Sequence, residues 1–408
     1  MPLTRQQIYR RRRITIFGSL IVVLAVAFYL PITLLAPLQT VSANTTEYVA
    51  PTSKAADPAL PGFASSGIGA VGYPGLLASD GTTKAKPIAS ISKVISALVV
   101  LDAKPLASGK PGPVITFTDA DVGYYNDALA LNGQVSPVTP GMTMTEREVL
   151  TVTLVHSANN YAKSLVSWAF GSQDKFLVAA KAWLKKHGMT HTKLEDPTGL
   201  TPKNVSTPTD LVTLGKLALK NATVAKIIST KKTTVPYLGQ IENTNQLLGI
   251  DGIDGIKTGT LDEAGACLLF SADTTVGGKK ITLVGVVLGG PDHPTLDASV
   301  RKLLKSVEAG FHKVDLVKAG DSFADYSTAW GEDSSAVAAK SASVVVWSDT
   351  PVTADITAHD VKVAKSGAEV GSVTFTAGDQ TVEVPLLLDQ ALTDPGPWWR
   401  LTNPSELF

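Results

Sequence analysis

Only one cysteine, Cys267, occurs among the 408 residues, so no intramolecular disulfide can form. Neither sign of charge prevails: Lys+Arg and Asp+Glu number 36 each, which leaves no global field to draw in nucleic acid. Charged residues are scarce, at 18% against 44% hydrophobic, a balance that excludes disorder and permits a sizeable core. The length leaves room for two or three domains, and no internal repeat is visible. His187 and His191 have a metal-like spacing, but "HGMTH" lacks the glutamate of a zinc-protease helix and carries Gly188 in its middle. No metal and no organic cofactor is expected.

A local absence carries more information. No Lys or Arg lies between Arg13 and Lys54, and the 25 residues 14–38 hold no charge at all. As a helix that run crosses about 30 Å of hydrocarbon. The preceding "RQQIYRRRR" marks residues 1–13 as a basic cytoplasmic tail and places everything from about residue 44 onward outside the membrane. Two readings remain open. Residues 14–38 are a retained transmembrane signal-anchor, or they are a signal peptide cleaved near Ala43, after which the protein is secreted. Signal-peptide apolar cores usually run to roughly 7–15 residues, which favours the anchor. Residues 39–67, rich in Ser, Thr, Ala and Pro, are expected to be a linker.

Past the linker, the patterning predicts a Gly-interrupted strand region at 68–77 and a helix over 91–103 that is apolar nearly all round and therefore buried. Residues 145–168 read as helix, break, helix, with "HSANN" at the break, and 206–219 as a helix behind a hydroxyl cap. Two apolar runs, 264–272 and 280–288, flank the hairpin signature "DTTVGG", and 297–311 closes the domain as a helix. This is an α+β domain over 68–313. From 314 to 408 short alternating runs such as "GSVTFTA" and "TVEVPLLLD" predict a small β-sandwich.

The chemistry-bearing pattern begins at "PIASISK". A lone S-x-x-K is weak, and the chain holds four: Ser90/Lys93, Ser172/Lys175, Ser229/Lys232 and Ser299/Lys302. S-x-N occurs at Ser42/Asn44 and Ser157/Asn159, and K-[ST]-G at Lys257-Thr258-Gly259 and Lys365-Ser366-Gly367. Ser42 lies at the membrane exit and Lys365 in a turn of the β-rich tail. What survives is Ser90 opening a buried helix, Ser157 at a helix break and Lys257 leading into a strand, the arrangement of penicillin-recognising serine enzymes. Ser90 and Lys93 share a helix face. A free lysine is a poor base at neutral pH, but burial and a second cation, Lys257, both favour its neutral amine.

Together "IASISK", "MTMTEREVLTVTLVHSANNYA", "EDPTGLTPKNVSTPTDL", "ENTNQLL" and "DGIKTGTLDEAGACL" resemble the low-molecular-mass D-alanyl-D-alanine carboxypeptidases, penicillin-binding proteins of the peptidase S11 family. Two features depart from that pattern: Thr260 stands where many relatives carry a larger residue, and the segment before "IASISK" is short. The resemblance implies a β-lactamase/transpeptidase-like catalytic domain followed by a β-domain. It implies an acyl-enzyme on Ser90, with the backbone N–H groups of Ser90 and Thr260 as oxyanion hole. Lys93 is then the base, Ser157 a proton relay, and Asn159 the holder of the acyl-side amide and of the Lys93 head group. Lys257 and Thr258, followed by Gly259, receive the free carboxylate of the departing D-alanine. The implied partners are peptidoglycan stem peptides ending in D-Ala-D-Ala, β-lactams as covalent inhibitors, and the cytoplasmic membrane through the N-terminal helix. Two rival functions use the same scaffold: a β-lactam hydrolase, and a non-catalytic cell-wall binding protein. "EDPTGL" lacks the downstream Asn of a deacylating loop, which counts against the first, and the intact trio counts against the second. Cys267, His156, Trp398 and Trp399 are expected to be packing or loop residues.

Overall fold

Residues 4–408 are described by the structure, a computed structural model, so the first three residues of the expected basic tail lie outside it. The chain falls into two units. One comprises Ser53–Lys313 with Val345–Asp349; the other gathers the residues up to Thr52 with Val314–Val344 and Thr350–Phe408.

The first unit is built on an antiparallel sheet of five strands in the order Ile253–Leu261, Gly265–Val276, Lys279–Gly290, Ser65–Ala70 and Ala78–Asp80. The two long strands form the hairpin expected from "DTTVGG", turning at Gly277 and Gly278, both at positive φ. Successive side chains of a strand point to opposite faces. Cys267 and Leu269 join the core of the helical body, while Leu268, Phe270 and Ala272 join a second core with the closing helix. Burial on both faces explains why "ACLLF" is an unbroken apolar run. Cys267 is fully buried, as a packing residue should be.

The closing helix spans His293–Glu308, four residues earlier at its start than the apolar pattern suggests, because Asp292 caps it by accepting from the Thr295 amide at 2.7 Å. Its expected last residue, Phe311, instead begins a strand. The predicted break falls between Glu146–Val155 and Asn159–Phe170. The buried helix is Ser92–Ala103, entered through a 3-10 turn over Ala89–Ile91. The helix after "NVST" starts at Pro208, with Thr207 rather than Ser206 as its cap.

In the second unit a helix covers Arg5–Leu34, the one helix among the described residues long and apolar enough to cross a membrane. It stops short of the expected residue 38 because Pro37 disfavours helical backbone at the residue before it. Ala36 and Leu38 are buried instead, packed with Leu407 and beside Trp330 and Trp399. A six-stranded antiparallel sheet follows the order Asn44–Thr45, Ser322–Ser327, Asp333–Ala338, Gln380–Leu388, Glu369–Ala377 and Val352–Ala358. Val373 faces Val384 and Phe375 faces Val382, the alternating residues of the sequence pattern. The expected linker, 39–67, is therefore corrected at both ends. Asn44–Thr45 adds an edge to this sheet, and Ser65, Ser66 and Gly67 are buried strand residues of the first unit. Small residues suited to a linker are also those that a crowded strand accepts. The expectation for the tryptophans divides: Trp399 packs on Trp330 with ring centroids 5.7 Å apart, but Trp398 is 78% exposed.

Candidate active site

Ser90 sits in the short 3-10 turn, half-buried, at the mouth of a helix whose other residues are nearly all core. Lys93, one turn on, is fully buried. Its Nζ lies 2.7 Å from Ser90 Oγ, 2.7 Å from Asn159 Oδ1 and 2.8 Å from the Thr198 carbonyl oxygen. With the amine neutral, it donates to Asn159 and Thr198 and accepts from the Ser90 hydroxyl. Burial drives the Lys93 pKa well below its ordinary value, the nearby Lys257 cation lowers it further, and Asp196 opposes in part. A lysine in this state can accept a proton from the hydroxyl it touches.

Asn159 is the first residue of its helix, and its own amide group donates to the Gln134 carbonyl at 2.9 Å. Its carbonyl oxygen is thereby turned to Lys93. Ser157, in the break, is buried and adopts φ +61, a left-handed conformation uncommon for a residue with a side chain. Such a conformation is a recurring mark of functional positions. Ser157 is not among the three partners of Lys93.

The strand Ile253–Leu261 brings in the rest. Lys257 is almost fully buried, and burial lowers its pKa to about 7. Its Nζ lies 3.2 Å from the Thr258 carbonyl and 3.4 Å from Thr244 Oγ1, and the Thr258 and Thr244 hydroxyls are 2.6 Å apart. Gly259 backs directly onto the nucleophile: a Cβ there would lie 3.1 Å from the Ser90 amide nitrogen and 3.0 Å from Ala89 Cβ. Thr260 is exposed, and its hydroxyl is 2.8 Å from His293 Nε2. Hydrogen bonds join Ser90, Lys93 and Asn159, Gly259 packs against the Ser90 backbone with Lys257, Thr258 and Thr260 along the same strand, and Ser157 lies two residues before Asn159 in the break.

Three contributors escaped the sequence reading, and a fourth was undervalued. Thr244 shares hydrogen bonds with Lys257 and Thr258, and the threonine of "ENTNQLL" gave no chemical signal of its own. The Thr198 carbonyl is a backbone acceptor, invisible in side-chain patterns. His293 reaches Thr260 from the first turn of the closing helix. His156, expected as a loop residue, sits against Gln134 at 2.8 Å with its pKa lowered first by burial and then by Lys257, so it stands nearer the site's charges than expected. The carboxylates of "EDPTGL" are engaged elsewhere. Glu195 pairs with Lys193 at 2.6 Å, and Asp196 accepts from the Thr198, Gly199 and Thr201 amides of its own loop.

Against known proteins, residues 75–292, about half of the chain, match the family model described as Peptidase S11, D-alanyl-D-alanine carboxypeptidase. The chain is 32% identical over 232 residues to a D-alanyl-D-alanine endopeptidase of Escherichia coli (strain K12), a match covering 55% of this chain and 70% of that one. It is 28% identical to the D-alanyl-D-alanine carboxypeptidase DacF of Bacillus subtilis (strain 168), over 53% of this chain and 54% of the other. In fold it resembles penicillin binding protein 5 from Haemophilus influenzae, with a TM-score of 0.58 at 19% identity, covering 85% of this chain and all of that structure.

Proposed function

From a chain that belongs to the peptidase S11 family, serine hydrolases of the D-alanyl-D-alanine carboxypeptidase type, we propose that this one removes the terminal D-alanine of peptidoglycan stem peptides through an acyl-enzyme on Ser90. The observation that carries the assignment of roles is the buried Lys93 amine, 2.7 Å from Ser90 Oγ, with its pKa pushed down.

In the proposed reaction Lys93 takes the Ser90 proton as Oγ attacks the carbonyl of the penultimate D-alanine. The oxyanion receives the backbone N–H groups of Ser90 and Thr260; losing one such donor typically raises a barrier by about 2.7–4 kcal/mol. Asn159, held by the Gln134 carbonyl, keeps the Lys93 amine aimed at Ser90 and offers its amide group to the acyl side. Ser157 relays that proton from Lys93 to the leaving amine as the C–N bond breaks, and a water molecule then hydrolyses the Ser90 ester, releasing the shortened stem and restoring the hydroxyl. Lys257, with the Thr258 and Thr244 hydroxyls, receives the terminal carboxylate, which supports release of a single D-alanine. A β-lactam acylates the same Ser90. Cleavage of cross-linked stems is a second reading, favoured by the endopeptidase relative at 32% identity.

The location proposed is the outer face of the cytoplasmic membrane, with the Arg5–Leu34 helix retained as anchor. Residues 36 and 38 are buried against Leu407, and Arg400 donates to the Leu34 and Ala36 carbonyls. Cleavage near Ala43 would strip those partners from the C-terminal residues, which supports retention over secretion.

The test is D-alanine release from an acyl-D-Ala-D-Ala peptide by the full-length protein and by Ser90→Ala, beside covalent labelling with a fluorescent penicillin. Both activities are expected to vanish in the variant. Labelling that persists or moves to Ser172 or Ser229 rejects the assignment, and faster cleavage of cross-linked dimers than of monomeric stems selects the endopeptidase reading.

A further inference from the structure

We propose that His156 and Gln134 form a bridge on the leaving-group side of the cleft, and that this bridge selects a small departing amine, terminal D-alanine, over the bulky amine of a cross-linked stem. This selection rests on the carboxypeptidase reading and deepens it. The chemistry at Ser90 is the same for both substrates, so the choice between them is made where the departing group sits.

That side of the cleft is marked by Lys257, Thr258 and Thr244, joined to one another by hydrogen bonds. His156 borders it from two directions. The Thr244 amide donates to the carbonyl of Val155, the residue before it, at 3.3 Å. Ser157, which faces the leaving amine in the proposed reaction, is the residue after it. The His156 ring is half-buried, and its Nε2 lies 2.8 Å from Gln134 Nε2. An amide nitrogen only donates, so the imidazole nitrogen accepts, and the ring is neutral with its proton on Nδ1. Burial and the Lys257 cation, which both lower the His156 pKa, favour that neutral form.

Both ends of the bridge spring from fixed backbone. His156 closes the helix Glu146–Val155. The Gln134 carbonyl accepts from the Asn159 backbone amide at 2.8 Å and from its side chain at 2.9 Å. A Cβ on Gly133 would lie 2.8 Å from Asn159 Nδ2 and 3.0 Å from the Ala128 carbonyl oxygen. Two residues past Gln134, Ser136 donates to and accepts from the Asn160 side chain at 3.1 and 2.8 Å. The segment carrying Gln134 therefore cannot swing aside without loosening Asn159. A wall held in this way discriminates by size. A departing D-alanine offers it a methyl group, whereas a departing second stem must pass a chain beside it. The Gln134 side chain takes no part in holding Asn159, which is the work of its carbonyl, so the bridge can be removed without touching the reacting groups.

The experiment measures kcat/KM for D-alanine release from a monomeric pentapeptide stem and for cleavage of a cross-linked dimer. It uses the full-length wild type, His156→Ala, Gln134→Ala and His156→Gln, beside the rate of acylation by a fluorescent penicillin. A fit difference of this kind in a site is worth about 10–200-fold, so each alanine variant should raise the dimer-to-monomer ratio by about tenfold or more. The double variant should raise it no further, because both residues build one bridge. Penicillin acylation should stay within a few-fold, since its leaving amine remains tethered in the acyl-enzyme and brings no second stem. His156→Gln, a neutral acceptor for Gln134, should recover most of the wild-type preference. An unmoved ratio in variants that acylate normally overturns the inference and leaves the carboxypeptidase standing. So do equal losses on monomer, dimer and penicillin, which would make the pair a support for Asn159 and nothing more. A wild type that cleaves dimers as readily as monomers overturns the bridge as a selector, and one that releases no D-alanine from either overturns the function with it.

Discussion

Gly199 offers a sharp test of how the nucleophile is held. It lies in "EDPTGL" at φ +88, and a Cβ at that position would sit 1.8 Å from the Ala89 carbonyl oxygen and 2.9 Å from the Ser90 amide nitrogen. Gly199→Ala therefore does two things. It places a side-chain-bearing residue in the left-handed region, at about 1–2 kcal/mol. It also forces the loop and the Ala89–Ser90 backbone apart by roughly 1 Å, and a misplacement of that size at a reacting group lowers rates by about 10²-fold. The same loop carries the Thr198 carbonyl that accepts from Lys93, so the base shifts with the nucleophile. The expected result is a fall of about 10²-fold in kcat/KM for D-alanine release and a similar fall in the rate of penicillin acylation. Gly188→Ala is the control. Gly188 has φ +71, but nothing lies within 4 Å of its would-be Cβ, so only the strain applies and activity should hold. Thermal melts followed by circular dichroism check that both variants fold. A folded Gly199→Ala protein with activity within a few-fold of wild type would refute the reasoning.

Two further outcomes are expected at the lysines. Lys93→Arg keeps the charge but not the base, because a guanidinium stays protonated in proteins; kcat/KM should fall by about 10²–10⁴-fold, and near-normal penicillin acylation would pass the role of base to another group, His156 first. Lys257 should impose a pH dependence of known sign. With its pKa lowered to about 7, it is a cation below that pH and neutral above it, so KM for peptides with a free terminal carboxylate should rise above about pH 7 while that for amide-capped peptides should not. The same shift acts on stability. Between about 7 and the ordinary lysine value near 10.4 the unfolded chain binds the proton that the folded one has lost, so stability should climb with pH across that window. Denaturant titrations of Lys257→Met should show a flatter climb, and an unchanged slope would mean that Lys257 is not the group responsible.

The order Ser90/Lys93, Ser157/Asn159, Lys257-Thr258-Gly259 was legible because each piece is a local pattern with a local structural cause. A lysine three residues after a serine shares its helix face, a break between two apolar periodicities exposes a turn, and a run buried on both faces is a strand. The same local physics placed the long apolar helix near the N-terminus, since length and absence of charge are properties of the sequence alone.

What remained hidden depends on groups far apart in the chain. Lys93 meets an acceptor 66 residues away on Asn159 and another 105 away on Thr198, and no periodicity specifies which carbonyl a buried amine will find. Thr244 and His293 entered the site because strand register and helix packing put their side chains beside Thr258 and Thr260. Residues 39–67 looked like a linker because small residues suit both a flexible segment and a crowded strand, and only packing distinguishes them. Arg400 reads as an ordinary surface cation until folding places it at the end of the Arg5–Leu34 helix, where unpaired carbonyls and Asp394 supply the partners that make its burial favourable. Composition and spacing determined which groups could react and which segment could enter a membrane. The tertiary structure decided which of them share a dehydrated neighbourhood, and dehydration is the main cause that lowers the pKa of both Lys93 and Lys257.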